Sequence, residues 1–420
     1  MHSLTRLFVY IFPLVISTNI EAALINYAIE GDVYVSDNAK RTSTNQVSDT
    51  VYMLSGELEI IDQNSTNDFA LKMNIQQREY KNDSFTNDTR GILDLKSTWS
   101  LVGDGLTWDV DGYYGQQPLN IFTVETPINL QNVGYFTTGP TLLFRLTDLD
   151  SIQFKYRYND YYAELTQADY QSDLYALSVS RRFTPLLTGA LTTQFEDIRF
   201  KEAANNSYED FRNFISFTGN TASNNYSLDY GTTTINFDSG VKLKGDLLRL
   251  MFSRQLNRFS NFNIQYSDTI DNGARRVNGL RLVNVVTNDV FTNEQILLSY
   301  DYVRPEMQIL FGFVYSNQDF LIINSQDRIV RSGSLNLAYG LPSSLRYSLR
   351  FSRSNADFYG TGQVTKTDTL YARLEKPIGR DLIAGAEVRN FKRESITSTL
   401  TSDIEENRFM IFVRYQVTNR

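Results

Sequence analysis

The stretch RFMIFVRYQV, residues 408–417, alternates two kinds of side chain without interruption. The apolar set is Phe409, Ile411, Val413, Tyr415 and Val417, and the set between them is Arg408, Met410, Phe412, Arg414 and Gln416. Successive side chains of a β-strand point to opposite faces, so this pattern predicts a strand whose faces meet different solvents. One apolar face and one face with two arginines are typical of the closing strand of a membrane β-barrel.

The rest of the chain repeats this pattern from residue 24 onward. Alternating segments of about 10–13 residues recur, the length that a tilted barrel strand needs, and we count about twenty of them. Their connections alternate between short turns and long polar loops, such as 36–49, 357–366 and 394–403. The sequence therefore predicts an all-β fold, a transmembrane antiparallel up-and-down β-barrel of about 16–20 strands, even in number, with short periplasmic turns and long extracellular loops.

A soluble β-helix or β-sandwich is the alternative to a membrane barrel. A β-helix would show a fixed internal repeat, and none is visible in the sequence. A sandwich has no need of many aromatic residues near its strand ends, whereas membrane barrels carry aromatic girdles there. The predicted girdle residues are Tyr156, Tyr158, Tyr161, Tyr162, Phe183, Tyr300, Tyr302, Tyr339, Phe351 and Tyr415.

The N-terminus has the pattern of an export signal. Residues 7–16 (LFVYIFPLVI) form a short apolar core, and Ala22 precedes a suitable cleavage point. An anchor helix is the alternative, but Pro13 interrupts the apolar run. We therefore predict a cleaved signal peptide over residues 1–22, a single barrel domain over residues 23–420, and a location in the outer membrane of a Gram-negative bacterium.

Composition excludes several classes of function. The 420 residues carry a net charge of −8, which disfavours nucleic acid as a partner. The chain has no cysteine, and its one histidine, His2, lies in the predicted signal peptide. Without His or Cys in the mature chain, neither a Ser-His nor a Cys-His nucleophile pair can form. We expect no catalytic residues, no metal site and no cofactor, although a carboxylate-pair mechanism stays open.

The alternation also predicts which charged side chains face the barrel interior. Arginine binds carboxylates and hydroxyl groups through a fixed fork of donors, so inward arginines suit a hydrophilic, anionic solute. The alternative is that these cations pair with inward Asp and Glu and solvate the wall. The predicted lumen-lining candidates for substrate binding are Lys155, Arg157, Arg182, Arg249, Arg346, Arg350, Arg389 and Arg414.

Several short motifs resemble a known family. Residues 35–38 (VSDN) and 48–51 (SDTV) resemble the first hairpin of outer-membrane barrels encoded with exopolysaccharide export systems, including those of the PEP-CTERM type. Residues 135–140 (YFTTGP) are similar to that family's Gly-Pro strand entry. Residues 174–183 and 248–256, each with an arginine before a turn, are similar too.

The resemblance implies export of exopolysaccharide or capsular polysaccharide across the outer membrane, with the polysaccharide chain and a periplasmic polysaccharide-export protein as partners. It also implies about 16–18 strands, so that residues 209–246 would form a loop or plug. Lipopolysaccharide and the barrel-assembly machinery are the further expected partners. The alternatives are a plugged structural or adhesin barrel, and a general or substrate-specific porin with residues 115–134 or 271–292 as its constriction loop.

Overall fold

The computed structural model describes residues 23–166, 168–201, 207–272, 289–341, 344–397 and 401–418. Over these residues twenty strands form one antiparallel sheet, which closes because β1 pairs with β20. The strands are β1 Leu24–Ser36, β2 Asp49–Gln63, β3 Asn67–Tyr80, β4 Asp88–Val102, β5 Leu106–Pro118, β6 Leu130–Arg145, β7 Asp150–Ala163, β8 Tyr170–Thr184, β9 Leu187–Phe200, β10 Tyr208–Asn220, β11 Asn224–Phe237, β12 Lys242–Asn257, β13 Ser260–Asn272, β14 Val290–Val303, β15 Met307–Phe320, β16 Arg328–Tyr339, β17 Arg346–Phe358, β18 Gln363–Pro377, β19 Leu382–Ile396 and β20 Thr401–Thr418. The predicted up-and-down barrel is confirmed.

Strand β20 shows why the barrel has two different faces. Phe409 and Ile411 point outward and are 54% and 55% exposed, as side chains that meet lipid must be. Met410 and Phe412 point inward and are buried. The prediction for residues 408–417 is therefore confirmed, including the inward direction of the alternate positions.

The strand number corrects one expectation. Residues 209–246 form no loop or plug, because β10, β11 and the start of β12 are continuous members of the wall. Phe211, Ile215 and Tyr230 are exposed on the outer surface of this sector, so its alternation fits lipid as well as that of any other sector. Barrels of about 16–18 strands leave an aqueous channel and those of about 22 strands hold a plug, so twenty strands enclose a wide lumen.

The two ends of the barrel differ in their connections. Both termini of the described barrel lie at the end with tight turns, such as residues 185–186 and 258–259, which we call the turn end. The opposite end, the loop end, carries longer connections, such as residues 37–48 and 119–129. The predicted long loops 357–366 and 394–403 are wrong, since β18 and β20 begin earlier and leave only residues 359–362 and 397–400.

No helix in the described part of the chain is long and apolar enough to cross a bilayer. The described chain contains two 3-10 turns, Pro127–Asn129 and Asn324–Gln326. The predicted signal peptide, residues 1–22, lies outside the described residues.

A row of aromatic side chains covers the inner wall near the loop end. Each strand from β5 to β11 contributes one ring, and most neighbouring rings lie 5.4 to 6.5 Å apart between centroids. The rings are those of Tyr113, Tyr135, Tyr161, Tyr170, Phe200, Tyr208 and Phe237. Tyr161 is thus wrong as an outer girdle residue, because it shares the inward face of Arg157. Phe183, Tyr339 and Tyr415 are exposed outward, as predicted.

Candidate channel lining and inward loop

The tip of the β5–β6 hairpin leaves the barrel wall. Pairing between β4 and β5 stops at Leu93 and Tyr114, although β5 continues to Pro118. Beyond that point β5 pairs with β6 alone, down to Pro118 opposite Leu130. Residues 112–115 are buried on both strand faces, whereas a wall strand exposes alternate residues to lipid. The hairpin tip therefore turns into the barrel.

The loop at this tip, residues 119–129, reaches the opposite side of the mouth. In a ring of twenty strands, β15 is the tenth strand after β5 and so faces it across the lumen. Ile121 packs against Phe291 and Phe320, which point inward at the loop ends of β14 and β15. The ring of Phe122 lies 4.8 Å from that of Phe358 at the loop end of β17. We call residues 119–129 the inward loop.

Polar side chains of the wall hold the inward loop by its main chain. Arg393 donates from Nη1 to the carbonyl of Thr123 and from Nη2 to that of Phe122, both at 2.9 Å. Gln363 donates to the Phe122 carbonyl at 3.3 Å. Arg41, from the β1–β2 loop, donates to the carbonyl of Glu125 at 2.8 Å. These bonds fix the loop to the neighbouring strands β18 and β19 and to the β1–β2 loop.

The inward loop is also braced from within. Asn129 donates from Nδ2 to the carbonyls of Asn120 at 2.8 Å and Val124 at 3.1 Å, and accepts from the Asn120 main-chain N–H at 2.8 Å. Within the predicted constriction segment 115–134, the part that lies across the mouth is therefore residues 119–129. The other candidate, 271–292, lies mostly outside the described residues, which omit 273–288.

Two predicted binding residues are neutralised within the wall. Arg414 pairs with Glu57, with one N–O distance of 3.2 Å, and lies 3.7 Å from Glu30. Arg249 pairs with Asp229 at 3.1 Å and lies over the ring of Phe214. Both point into the lumen as predicted, but a paired guanidinium has less charge to offer a solute.

The other candidates are dispersed along the wall. Arg350 faces the lumen over the ring of Tyr371, at 5.8 Å from its centroid. Arg346 lies near the turn end, opposite Glu375. Arg182 also lies at the turn end, where it is exposed and donates to the main-chain carbonyl of Asp148. The eight predicted residues therefore do not form one site.

Arg157 has a structural task, which differs from the predicted one. The β6–β7 ladder is broken at Gly139 and Pro140, where proline has no N–H to donate. Arg157 donates to the carbonyls of Gly139 at 3.1 Å and Pro140 at 2.9 Å, and forms an ion pair with Asp109. Lys155 lies two residues before Arg157 on the same strand. It therefore faces the lumen as well, at a position closer to the turn end.

We expect Arg157→Ala to destabilise the barrel without changing solute selectivity. The substitution leaves the carbonyls of Gly139 and Pro140 without this donor and removes the cation paired with Asp109, a loss of about 3 kcal/mol. Urea unfolding in phospholipid vesicles measures this, with Lys155→Ala as the matched control. Equal unfolding midpoints for the two variants would contradict the structural task.

A cluster of arginines in the described part of the chain was only partly predicted. A cavity of about 120 Å3 between the inward loop and the wall is lined by five arginines, together with Glu125 and Glu406. They are Arg41, Arg78, Arg90, Arg389 and Arg408. The inward direction of Arg389 and Arg408 follows from the alternation of side chains along each strand, which we call strand parity. The same rule could have found Arg78 and Arg90. Arg41 lies in a loop, where strand parity cannot predict the direction of a side chain.

The carboxylate of Glu406 is the centre of this cluster. It is fully buried and accepts from Arg41 at 2.7 Å, from Arg408 at 2.5 Å and from Ser36 at 2.6 Å. Burial and the nearby Arg408 guanidinium lower the pKa of Arg41, while the Glu406 carboxylate opposes that shift.

A second ion network lies nearer the turn end. Arg373, absent from the predicted set, bridges Glu30 at 3.3 Å, Glu375 at 2.8 Å and Glu387 at 3.4 Å. Its guanidinium lies 3.7 Å from the centroid of the Phe412 ring. This sector of the wall is therefore polar and charged, as a water-filled lumen requires. Within the described ranges no three potential metal ligands come together.

Comparison with known proteins gives the fold. No family model matches the chain, and no curated protein matches it by sequence. The siderophore receptor PirA from Acinetobacter baumannii matches with a TM-score of 0.51 and 8% identity, over 93% of this chain and 80% of that one. The chain has the fold of an outer-membrane β-barrel.

Two further solved structures are similar at a lower level. The siderophore receptor PirA from Pseudomonas aeruginosa has a TM-score of 0.46 and 9% identity, over 94% of this chain and 80% of that one. OpdO from Pseudomonas aeruginosa has a TM-score of 0.41 and 12% identity, over 96% and 98%. These similarities assign no function.

Proposed function

We propose that the chain is an outer-membrane channel of the porin type, which admits small hydrophilic solutes by diffusion. The observation that carries this proposal is the inward loop. It crosses the mouth at the loop end and is fastened by Arg393, Gln363 and Arg41. A fixed segment across a wide barrel narrows the passage and defines the size of solute that passes.

The wall supports the same proposal. Inward positions carry ion networks around Arg373 and Arg414, whereas outward positions such as Leu349 and Ile411 are apolar and exposed. A barrel with a polar interior and an apolar exterior lets water and ions through while it sits in lipid. The sequence pattern of an export signal supports the outer-membrane location.

Export of a polysaccharide stays a prediction from the sequence resemblance. The hydrogen bonds that hold the inward loop to the wall favour passage of small solutes, because a polymer would have to break several of them to pass. Enzymes with a Ser-His or a Cys-His nucleophile pair need histidine. The mature chain lacks this residue, so we propose no catalytic activity.

Reconstitution tests the proposal. Purified protein in planar lipid bilayers should give stable, stepwise ion conductance, and vesicles containing it should swell in small sugars but not in oligosaccharides. A barrel that is folded, as shown by heat-modifiable migration, and yet gives no conductance would contradict the channel. Passage of long oligosaccharides would instead favour polymer export.

A further inference from the structure

The arginine-lined cavity under the inward loop carries more positive charge than its carboxylates neutralise. Its lining includes five guanidinium groups and the carboxylates of Glu125 and Glu406. Arg90 is in addition bonded to Asp88 at 2.6 Å. The groups that line the cavity, together with Asp88, are thus five cations and three anions.

Two of the arginines have donors with no acceptor. The Nε atoms of Arg78 and Arg389 are buried and lack a hydrogen-bond partner. Arg78 donates from Nη2 to Gln76 at 2.9 Å, and Arg389 forms no ion pair among the described residues. A buried donor without an acceptor is unfavourable, and more so when it belongs to a charged group. Arg78 and Arg389 both line the same cavity, and no ion pair in the described part of the chain supplies either of them with an anion.

The nearest carboxylates do not serve as that anion. Glu406 is already shared by Ser36, Arg41 and Arg408. Asp32, on β1, is buried with both oxygens unbonded, and no ion pair joins it to Arg78 in the described part of the chain. Neither carboxylate therefore neutralises Arg78 or Arg389.

The dimensions define that group. The cavity of about 120 Å3 has the volume of about four waters, enough for a single oxyanion but not for a sugar ring. A second cavity of about 290 Å3 shares Arg78, Arg90 and Glu125 with it and fills the gap where β5 leaves β4. This second cavity is lined by amides, which bind hydroxyl groups: Asn74, Gln76, Gln116 and Gln117.

We propose that the arginine-lined cavity binds a doubly charged phosphate group, and that the amide-lined cavity beside it takes the hydroxylated remainder of a small phosphorylated solute. Arginine forks match phosphate oxygens in pairs, and charge-assisted bonds of this kind are the strong ones. The inference rests on the proposed channel, whose solute class it names.

Calorimetry on the detergent-solubilised barrel tests binding directly. Inorganic phosphate and glucose 6-phosphate should bind, the second more tightly because it also fills the amide-lined cavity, while chloride and glucose should not compete. Arg389→Gln and Arg78→Gln should each weaken phosphate binding by about tenfold, as expected for one charge-assisted contact. Arg145→Gln, an exposed arginine outside both cavities that pairs with Asp104 at 2.9 Å, is the control and should leave phosphate binding unchanged.

The two orphan arginines should be replaceable without loss of folding, because neither has an ion-pair partner to leave behind. Arg389→Lys gives a second check, since it keeps the charge but removes the orphan Nε, and should bind phosphate with intermediate affinity. Phosphate binding no tighter than chloride binding, or equal phosphate affinities in Arg389→Gln and Arg145→Gln, would overturn the site. Equal affinities for inorganic phosphate and glucose 6-phosphate would overturn the role of the second cavity.

Channel recordings separate this inference from the proposed function. Millimolar phosphate should reduce the potassium chloride current of the native channel and have little effect on Arg389→Gln. A channel that conducts but ignores phosphate would remove the phosphate site and leave the channel intact. A protein that binds phosphate but never conducts would contradict the proposed channel and leave the phosphate site intact.

Discussion

Replacing residues 119–129 with a short glycine-serine linker should raise single-channel conductance several-fold. The inward loop crosses the mouth and touches β14, β15 and β17 on the far side. Its removal also frees Arg41 and Arg393 from the carbonyls of Glu125, Phe122 and Thr123. The linker variant should therefore conduct through the full width of a twenty-stranded barrel, measured in planar bilayers.

A milder variant serves as the control for this loop replacement. Arg393→Ala with Gln363→Ala removes three of the bonds to the loop carbonyls but keeps the loop. It should give a channel that fluctuates between the native conductance and larger values. If the linker variant is folded and conducts no more than the native barrel, the loop does not limit the passage.

Glu406→Gln should lower the free energy of unfolding by about 3–5 kcal/mol, the range found when one member of a buried ion pair is removed. The carboxylate lies between the guanidinium groups of Arg41 and Arg408, with Arg389 also close by. Glutamine keeps the shape but not the charge, so these cations repel one another without compensation. Urea unfolding in vesicles, followed by tryptophan fluorescence, gives the difference.

Glu405→Gln is the matched control, one residue earlier on the same strand. Glu405 is exposed and accepts one bond, from Asn390 at 3.2 Å. Exposed charges of this kind contribute about 0–1 kcal/mol, so its unfolding midpoint should stay near that of the native barrel. Similar midpoints for the two glutamine variants would show that Glu406 does not hold the cluster together.

Most of the correct predictions from the sequence, namely the inward arginines and the strand count, come from strand parity. It places Arg249, Arg350 and Arg414 on the inner face, where the structure has them, because a one-residue slip would expose their charges to lipid. It also explains the strand count, since each alternating segment fits one wall strand. The same rule contradicts the assignment of Tyr161 to the outer girdle, which proximity to strand ends had suggested.

Parity could not give the role of an inward residue or the path of a loop. Arg157 became structural only because Gly139 and Pro140, on a neighbouring strand, interrupt the ladder opposite it. The segment 115–134 was predicted as one of two candidates, and its bonds to Arg393 and Gln363 join residues far apart in sequence. Such contacts depend on which strands the closed ring brings face to face.

The way the inward loop is fastened leaves its side chains free to diverge. Arg393, Gln363 and Arg41 all bond to main-chain carbonyls, which every amino acid supplies. Apart from Asn120 and Asn129, which brace the loop, and Ile121 and Phe122, which pack against aromatic rings of the far wall, its residues can be exchanged by mutation without releasing it from the wall. Related barrels could therefore drift toward new solutes, and designed nanopores could be tuned, by rewriting this one segment.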